Sequence, residues 1–229
     1  MKVKLLSFWI GPRFAWWGKY VAQWQRFKTV EWEHIDLALD GWNRLATQRL
    51  SMPCNKGSVM AVCDYRPAFN ELFADKYSGC DWWGWVDPDM LMGDLDTWLP
   101  KLLTDDVDAV SFKQLYLSGC FAMFRNTEKM RTLWRRSEHH QTIMVDPRYN
   151  VWDESGYRHL PGESFFNLML REGIRIKLSP ELYAYDALQE QHSIRFSDGK
   201  LFNPDTGEEK VCFHFMSKTW PINDDGSSR

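Results

Sequence analysis

The sequence contains no C-x-x-C pair, no N-x-[ST] sequon, no Gly/Ser/Pro-rich linker and no apolar run long enough to cross a bilayer. Each absence removes a class of protein. The five cysteines, Cys54, Cys63, Cys80, Cys120 and Cys212, are odd in number and widely scattered, which excludes a disulfide framework. Reduced, mostly buried thiols in a cytoplasmic protein are the expectation. Positive charge is also short. With 28 Lys and Arg against 31 Asp and Glu, the net charge is −3, and no concentrated basic face marks nucleic acid as a partner. Lys2 and Lys4 precede only a short apolar stretch, broken by Gly11-Pro12-Arg13, so the start reads as a first strand rather than a leader. Without any break in composition, the chain reads as one domain over residues 1–222, with a disordered polar tail at 223–229.

What the chain does have is tryptophan, 13 in all, and one stretch that organises the rest. From Trp82 to Val86 the sequence is apolar without alternation, as expected of a strand buried on both faces of a mostly parallel sheet. It ends in Asp87-Pro88-Asp89. In extended chain, residues i and i+2 leave the same face about 6–7 Å apart, and Pro88 biases Asp87 towards that geometry. Two hard oxygen ligands at the carboxyl end of a strand suit Mg²⁺ or Mn²⁺, the place where open α/β sheets bind ligands. Two other Asp-x-Asp triplets occur. Asp94 and Asp96 precede a helical pattern, where acidic residues cap and charge the first turn, and Asp106 and Asp108 lie in a polar turn.

Further strands are expected at 2–10, 34–39, 107–113, 119–125, 174–178 and 211–215, with a hairpin at 193–203 turning on Asp198-Gly199. Helices are expected from Trp17 to Trp24, from Pro67 through Tyr77, near 95–104, from Asn126 or Thr127 through Trp134, and through Phe165 to Leu170 before Gly173. Residues 41–56 carry no single periodicity.

Several polar residues sit where chemistry is available. Gly11, after the first strand, permits close backbone approach of a nucleotide or simply makes a turn. Asp64 and Arg66 precede a helix start; Arg66 can meet phosphate or Asp87, or Asp64 can act as a cap beside a surface Arg66. Glu163 lies in a first helical turn, ionised and able to accept a proton or only stabilising the helix. Asp153 and Glu154 lie in the preceding loop. His214, in an apolar strand, is either a satisfied core residue or part of a site with Lys218, four residues on.

The block Cys63-Asp64-Tyr65-Arg66-Pro67-Ala68-Phe69, then Trp83 to Asp89 and Gly93-Asp94-Leu95, resembles the metal-dependent glycosyltransferases of the GT-A fold, in particular small bacterial or viral glycan transferases. The segment from His214 to Pro221 is similar to the His-Phe-x-Gly-x-x-Lys-Pro-Trp ending of the glycogenin and bacterial galactosyltransferase group. It lacks the Gly and reverses the last two residues. The resemblance implies a Rossmann-like, mixed and mostly parallel sheet flanked by helices. It implies that Asp87, Asp89 and His214 hold Mn²⁺ or Mg²⁺, which binds the diphosphate of a UDP-sugar, with Asp64 and Arg66 facing that donor; Gly11, Asp87 and Lys218 are the further candidates for donor contact. Transfer to a glycan or glycoconjugate acceptor follows, and Glu163, Asp153 and Glu154 are the candidates for an acceptor base. Two other classes remain open on these residues: an aspartyl-phosphate phosphatase, in which Asp87 is a nucleophile, and a carbohydrate-binding module that uses the tryptophans without catalysis.

Overall fold

The structure, a computed structural model, describes residues 1–156, 162–185, 194–215 and 221. Lys218 and the tail at 223–229 lie outside the described residues. Strand β1 (Val3–Phe8) lies between β2 (Val30–Ile35) and β3 (Trp82–Val86) and is parallel to both. After β3 the chain leaves this sheet through β4 (Met90–Met92), then returns in β5 (Ala109–Ser111) and β6 (Phe121–Arg125). With β7 (Ile176–Leu178) the sheet order is β2-β1-β3-β6-β5-β7, and only β6 runs against the others. This is the mostly parallel α/β architecture expected from the unalternating apolar run.

The reason for that run is visible in the packing. Trp83 and Trp85 enter one core, Trp82 and Val86 the other, and all five residues of β3 are buried. The first core lies under α2 (Leu39–Leu50), α3 (Phe69–Leu72), α5 (Glu128–Thr132), α6 (His140–Val145) and α7 (Phe165–Arg171). The second lies under α1 (Trp17–Trp24) and α4 (Leu95–Leu102). Two small sheets complete that side. One joins β8 (Tyr183–Tyr185) and β4 to β12 (Cys212–His214); the other contains β9 (Arg195–Ser197), β10 (Lys200–Phe202) and β11 (Glu209–Lys210). The β9–β10 turn has φ of 51° at Asp198 and 79° at Gly199, the left-handed pair a two-residue hairpin requires. All five cysteines are free and buried, and no helix among the described residues is long and apolar enough to cross a membrane.

Three expectations are corrected. The second strand is Val30–Ile35, not 34–39: the Ile35, Leu37, Leu39 alternation continues into a turn and the start of α2, while pairing from Val3 opposite Val30 sets the strand. Residues 41–56 contain most of α2, which buries Trp42, Ala46 and Leu50 at helical spacing behind a largely polar sequence. The helix expected from Pro67 is instead a 3₁₀ stretch, Met60–Ala68, followed by the one-turn α3.

Gly84, in the middle of β3, shows how tightly the sheet closes. A Cβ there would lie 2.2 Å from the Ala122 carbonyl oxygen and 3.1 Å from the Met123 Cα. Gly84→Ala is therefore expected to lower the unfolding free energy by at least about 2 kcal/mol, as overpacking does. Gly18→Ala in α1, where a Cβ meets nothing within 4 Å, should leave stability equal or higher by up to about 1 kcal/mol. Urea titrations followed by tryptophan fluorescence check both.

Candidate metal centre

Asp87 leaves the carboxyl end of β3, with its amide nitrogen held by the Cys120 carbonyl at 2.8 Å. After Pro88, the Asp89 carbonyl accepts from the Phe215 amide at 3.1 Å, and β4 begins. Antiparallel pairing of β4 with β12 sets Met90 opposite His214. A residue from the far end of the chain is thereby laid beside the acidic pair. His214 Nε2 is 3.2 Å from Asp89 Oδ2, and ligand atoms of Asp87, Asp89 and His214 all lie within 4.8 Å of one another. They open into a cavity of about 410 Å³ whose wall includes Phe8, Trp9, Met60, Cys63, Arg66, Lys113, Tyr116, Cys120, Tyr149 and Glu154.

The 3₁₀ stretch explains Arg66. At three residues per turn, Met60, Cys63 and Arg66 fall on one face, and all three line the cavity. Arg66 pairs with Asp87 through Nη2; its Nη1 donates to the Gly119 carbonyl and, at 2.8 Å, to Asp153 Oδ2. Tyr149 donates to the other Asp153 oxygen at 2.9 Å. Arg66 meets Asp87, as anticipated, and Asp153 is wholly buried in the same network.

Asp64, two residues before Arg66, points the other way. It is fully buried and ion-paired with Lys56 at 2.8 Å, and it accepts from the amides of Asn150 and Trp152 at 2.9 and 3.0 Å. It ties the 150–152 loop to the turn and lines no part of the cavity. Glu154 does line it, crossing so close over Gly119 that a Cβ there would fall 2.1 Å from Oε1. Glu163 lies away from it and, against expectation, outside the helix: Ser164 caps α7, so Glu163 precedes the first turn, where it accepts from Ser137 Oγ at 2.6 Å and lies 3.7 Å from Arg171. Gly11 is exposed with φ of 128°, next to the Trp9 indole that donates to the Pro12 carbonyl at 3.0 Å.

The other Asp-x-Asp triplets are spent on structure. Asp94 caps α4 through the Thr97 amide, Asp96 accepts from the Lys28 and Thr29 amides, and Asp108 pairs with Arg175. Lys113, Tyr149 and Tyr183 carry no local sequence pattern that marks them; the segment after β5, the 149–154 loop and strand β8 reach the site only through long-range packing.

Burial at the cavity floor pushes Asp87 up to about 7, against the pull of Arg66 and with Asp89 adding to it. Burial raises Asp153 likewise. For His214, burial opposes the charged ring, but Cys120 and the Asp89 hydrogen bond outweigh it and raise the imidazole to about 11. Two carboxylates and an imidazole nitrogen, converging and partly open, form a donor set that fits Mn²⁺ or Mg²⁺.

The protein is similar to the crystal structure of a glycosyltransferase involved in the glycosylation of the major capsid of PBCV-1, over 95% of both chains, with a TM-score of 0.52 and 11% identity. It has the GT-A fold. The galactosyltransferase LgtC, solved with donor and acceptor sugar analogs, overlaps 99% of this chain and 91% of its own, with a TM-score of 0.44 and 12% identity. No curated protein matches the sequence. The chain belongs to the family of unknown function DUF6625, whose model matches residues 23–218.

A cation entering the site competes with the proton that Asp87 holds below about pH 7 and with the one on His214. Both are favoured by low pH, so affinity must fall as pH falls. Calorimetric titration with Mn²⁺ is expected to show binding at pH 8 and at least about tenfold weaker binding at pH 6, with His214→Ala and Asp89→Asn each weakening it at pH 8.

Proposed function

We propose that the protein is a metal-dependent glycosyltransferase that moves a sugar from a nucleotide-diphosphate sugar, a UDP-sugar, to a glycan or glycoconjugate acceptor. The observation that carries this proposal is the convergence of Asp87, Asp89 and His214 at the carboxyl end of the central strand of a GT-A fold, on a cavity large enough for a ligand. These three side chains would hold the Mn²⁺ or Mg²⁺. Such an ion supplies charge stabilisation to the departing diphosphate.

The chain's own residues do the rest. Arg66 fixes the Asp87 carboxylate and, through Asp153, the loop that carries Glu154. Among Glu154, Asp153 and Glu163, we assign to Glu154 the contact with the reacting groups, because it lines the cavity; an ionised carboxylate there can accept the acceptor hydroxyl's proton. Asp153 is committed to Arg66 and Tyr149, and Glu163 to Ser137. Trp9, Tyr116 and Tyr149 in the cavity wall are the candidates for stacking on a base or sugar.

Incubation with a panel of UDP-sugars and Mn²⁺ is expected to release UDP, with chelator abolishing release and Asp89→Asn lowering it by about a hundredfold or more. Sugar binding that ignores chelator, without UDP release, would point to a binding module. Hydrolysis of phosphomonoesters would point to a phosphatase.

A further inference from the structure

The ring of His214 has a second neighbour that the site as described leaves unused. Strand β8 runs parallel to β12 with Tyr183 opposite Cys212. Alternation of the pleat puts Tyr183 and His214 on the same face as diagonal neighbours. Tyr183 Oη lies 3.2 Å from His214 Nδ1, while Nε2 faces Asp89 at 3.2 Å. The phenol is otherwise enclosed: it is 8% exposed, its oxygen is 3.5 Å from Cys120 Sγ, and Lys113 Nζ sits 4.6 Å from its ring centroid. Cys120 Sγ in turn lies 3.1 Å from Ser118 Oγ, and the Ser118 amide donates to Ser111 Oγ at 2.7 Å.

Only one direction of this chain suits a ligand histidine. For Nε2 to offer a lone pair, the proton of the neutral ring must be on Nδ1. A histidine that binds a metal almost always donates that N–H to a fixed acceptor, which sets both tautomer and ring orientation. Tyr183 Oη is an acceptor within 3.2 Å of Nδ1 and can pass its own O–H towards Cys120 Sγ. We propose that Tyr183 is a positioning residue of the metal centre: it accepts the Nδ1–H of His214 and so presents Nε2 to a divalent cation held by Asp87 and Asp89. This rests on the metal-dependent function proposed above. Tyr183 acts through His214 and touches neither cation nor substrate.

The test is Mn²⁺ affinity, read from the EPR signal of the free ion, in the full chain and in Tyr183→Phe, His214→Ala and the double variant, with melting temperatures for each. Tyr183→Phe is expected to weaken Mn²⁺ binding about tenfold or more while the protein stays folded, and to add nothing in the His214→Ala background. Unchanged affinity in Tyr183→Phe, or an equal loss with and without His214, overturns the assignment while leaving the metal centre intact. Absence of Mn²⁺ binding by the unsubstituted protein, or binding indifferent to His214→Ala, overturns the metal centre itself and this inference with it. Should Tyr183→Phe fail to fold, the ¹⁵N shifts of His214 in the Mg²⁺-loaded, unsubstituted protein decide. A proton on Nδ1 and none on Nε2 supports the role, and the opposite tautomer overturns it.

Discussion

A buried guanidinium between two carboxylates organises this molecule. Arg66 is almost wholly enclosed, with Asp87 on one side, Asp153 on the other and the Gly119 carbonyl against it. Removing Arg66 would leave two carboxylates facing each other without a counter-charge at low dielectric, where breaking a pair costs about 3–5 kcal/mol. The arrangement therefore holds three distant segments at one point: the end of β3, the start of β6 and the 149–154 loop. A second buried pair, Lys56 with Asp64, pins the same loop from beneath, with Lys56 also donating to the Ile143 carbonyl at 2.6 Å. Polar groups so placed are worth little as net stability, but they define where Asp87 and Glu154 can be.

The aromatic content serves the sheet more than the cavity. Trp83 and Trp85 lie 4.7 and 4.9 Å from the ring of Phe124, and Trp42 stacks 5.7 Å from Phe69 on the same face. On the other face, Trp24 stacks on Trp32 at 5.6 Å. Gly84 is the gap that lets such large side chains flank a closely packed central strand. A rigid β3 follows, and rigidity at its end is what a ligand set needs, since Asp87 and Asp89 hang from that strand without a helix to brace them.

The chemistry of a sequence is legible where it is local. Asp87 and Asp89 stand out because Pro88 and the apolar run determine their geometry within seven residues, and the caps on α4 and α5 are readable for the same reason. Arg66 is half legible: its nearness to Asp87 can be anticipated, but not the 3₁₀ winding that turns Met60, Cys63 and Arg66 to the cavity and Asp64 away from it. Pro67 reads as a helix start because proline favours a first turn, yet a tighter helix accepts it as well. Lys113, Tyr149 and Tyr183 carry no local mark at all. Their position depends on how β5, the 149–154 loop and β8 dock, which is information spread over the whole chain. β12 is legible as the short apolar strand expected at 211–215, but β4, three residues long, lacks the length for a pattern, and the register between the two, which brings His214 to Asp89, has no local mark.

The central claim is that a divalent cation is gripped by Asp87 and Asp89, at the end of the central strand, together with His214 from the late strand β12. Anomalous diffraction from crystals soaked in Mn²⁺ tests it most directly. The account predicts a single strong peak in contact with Asp87, Asp89 and His214 Nε2. Crystals that take up Mn²⁺ only elsewhere, with His214 still hydrogen-bonded to Asp89 and no density between the three side chains, would contradict it.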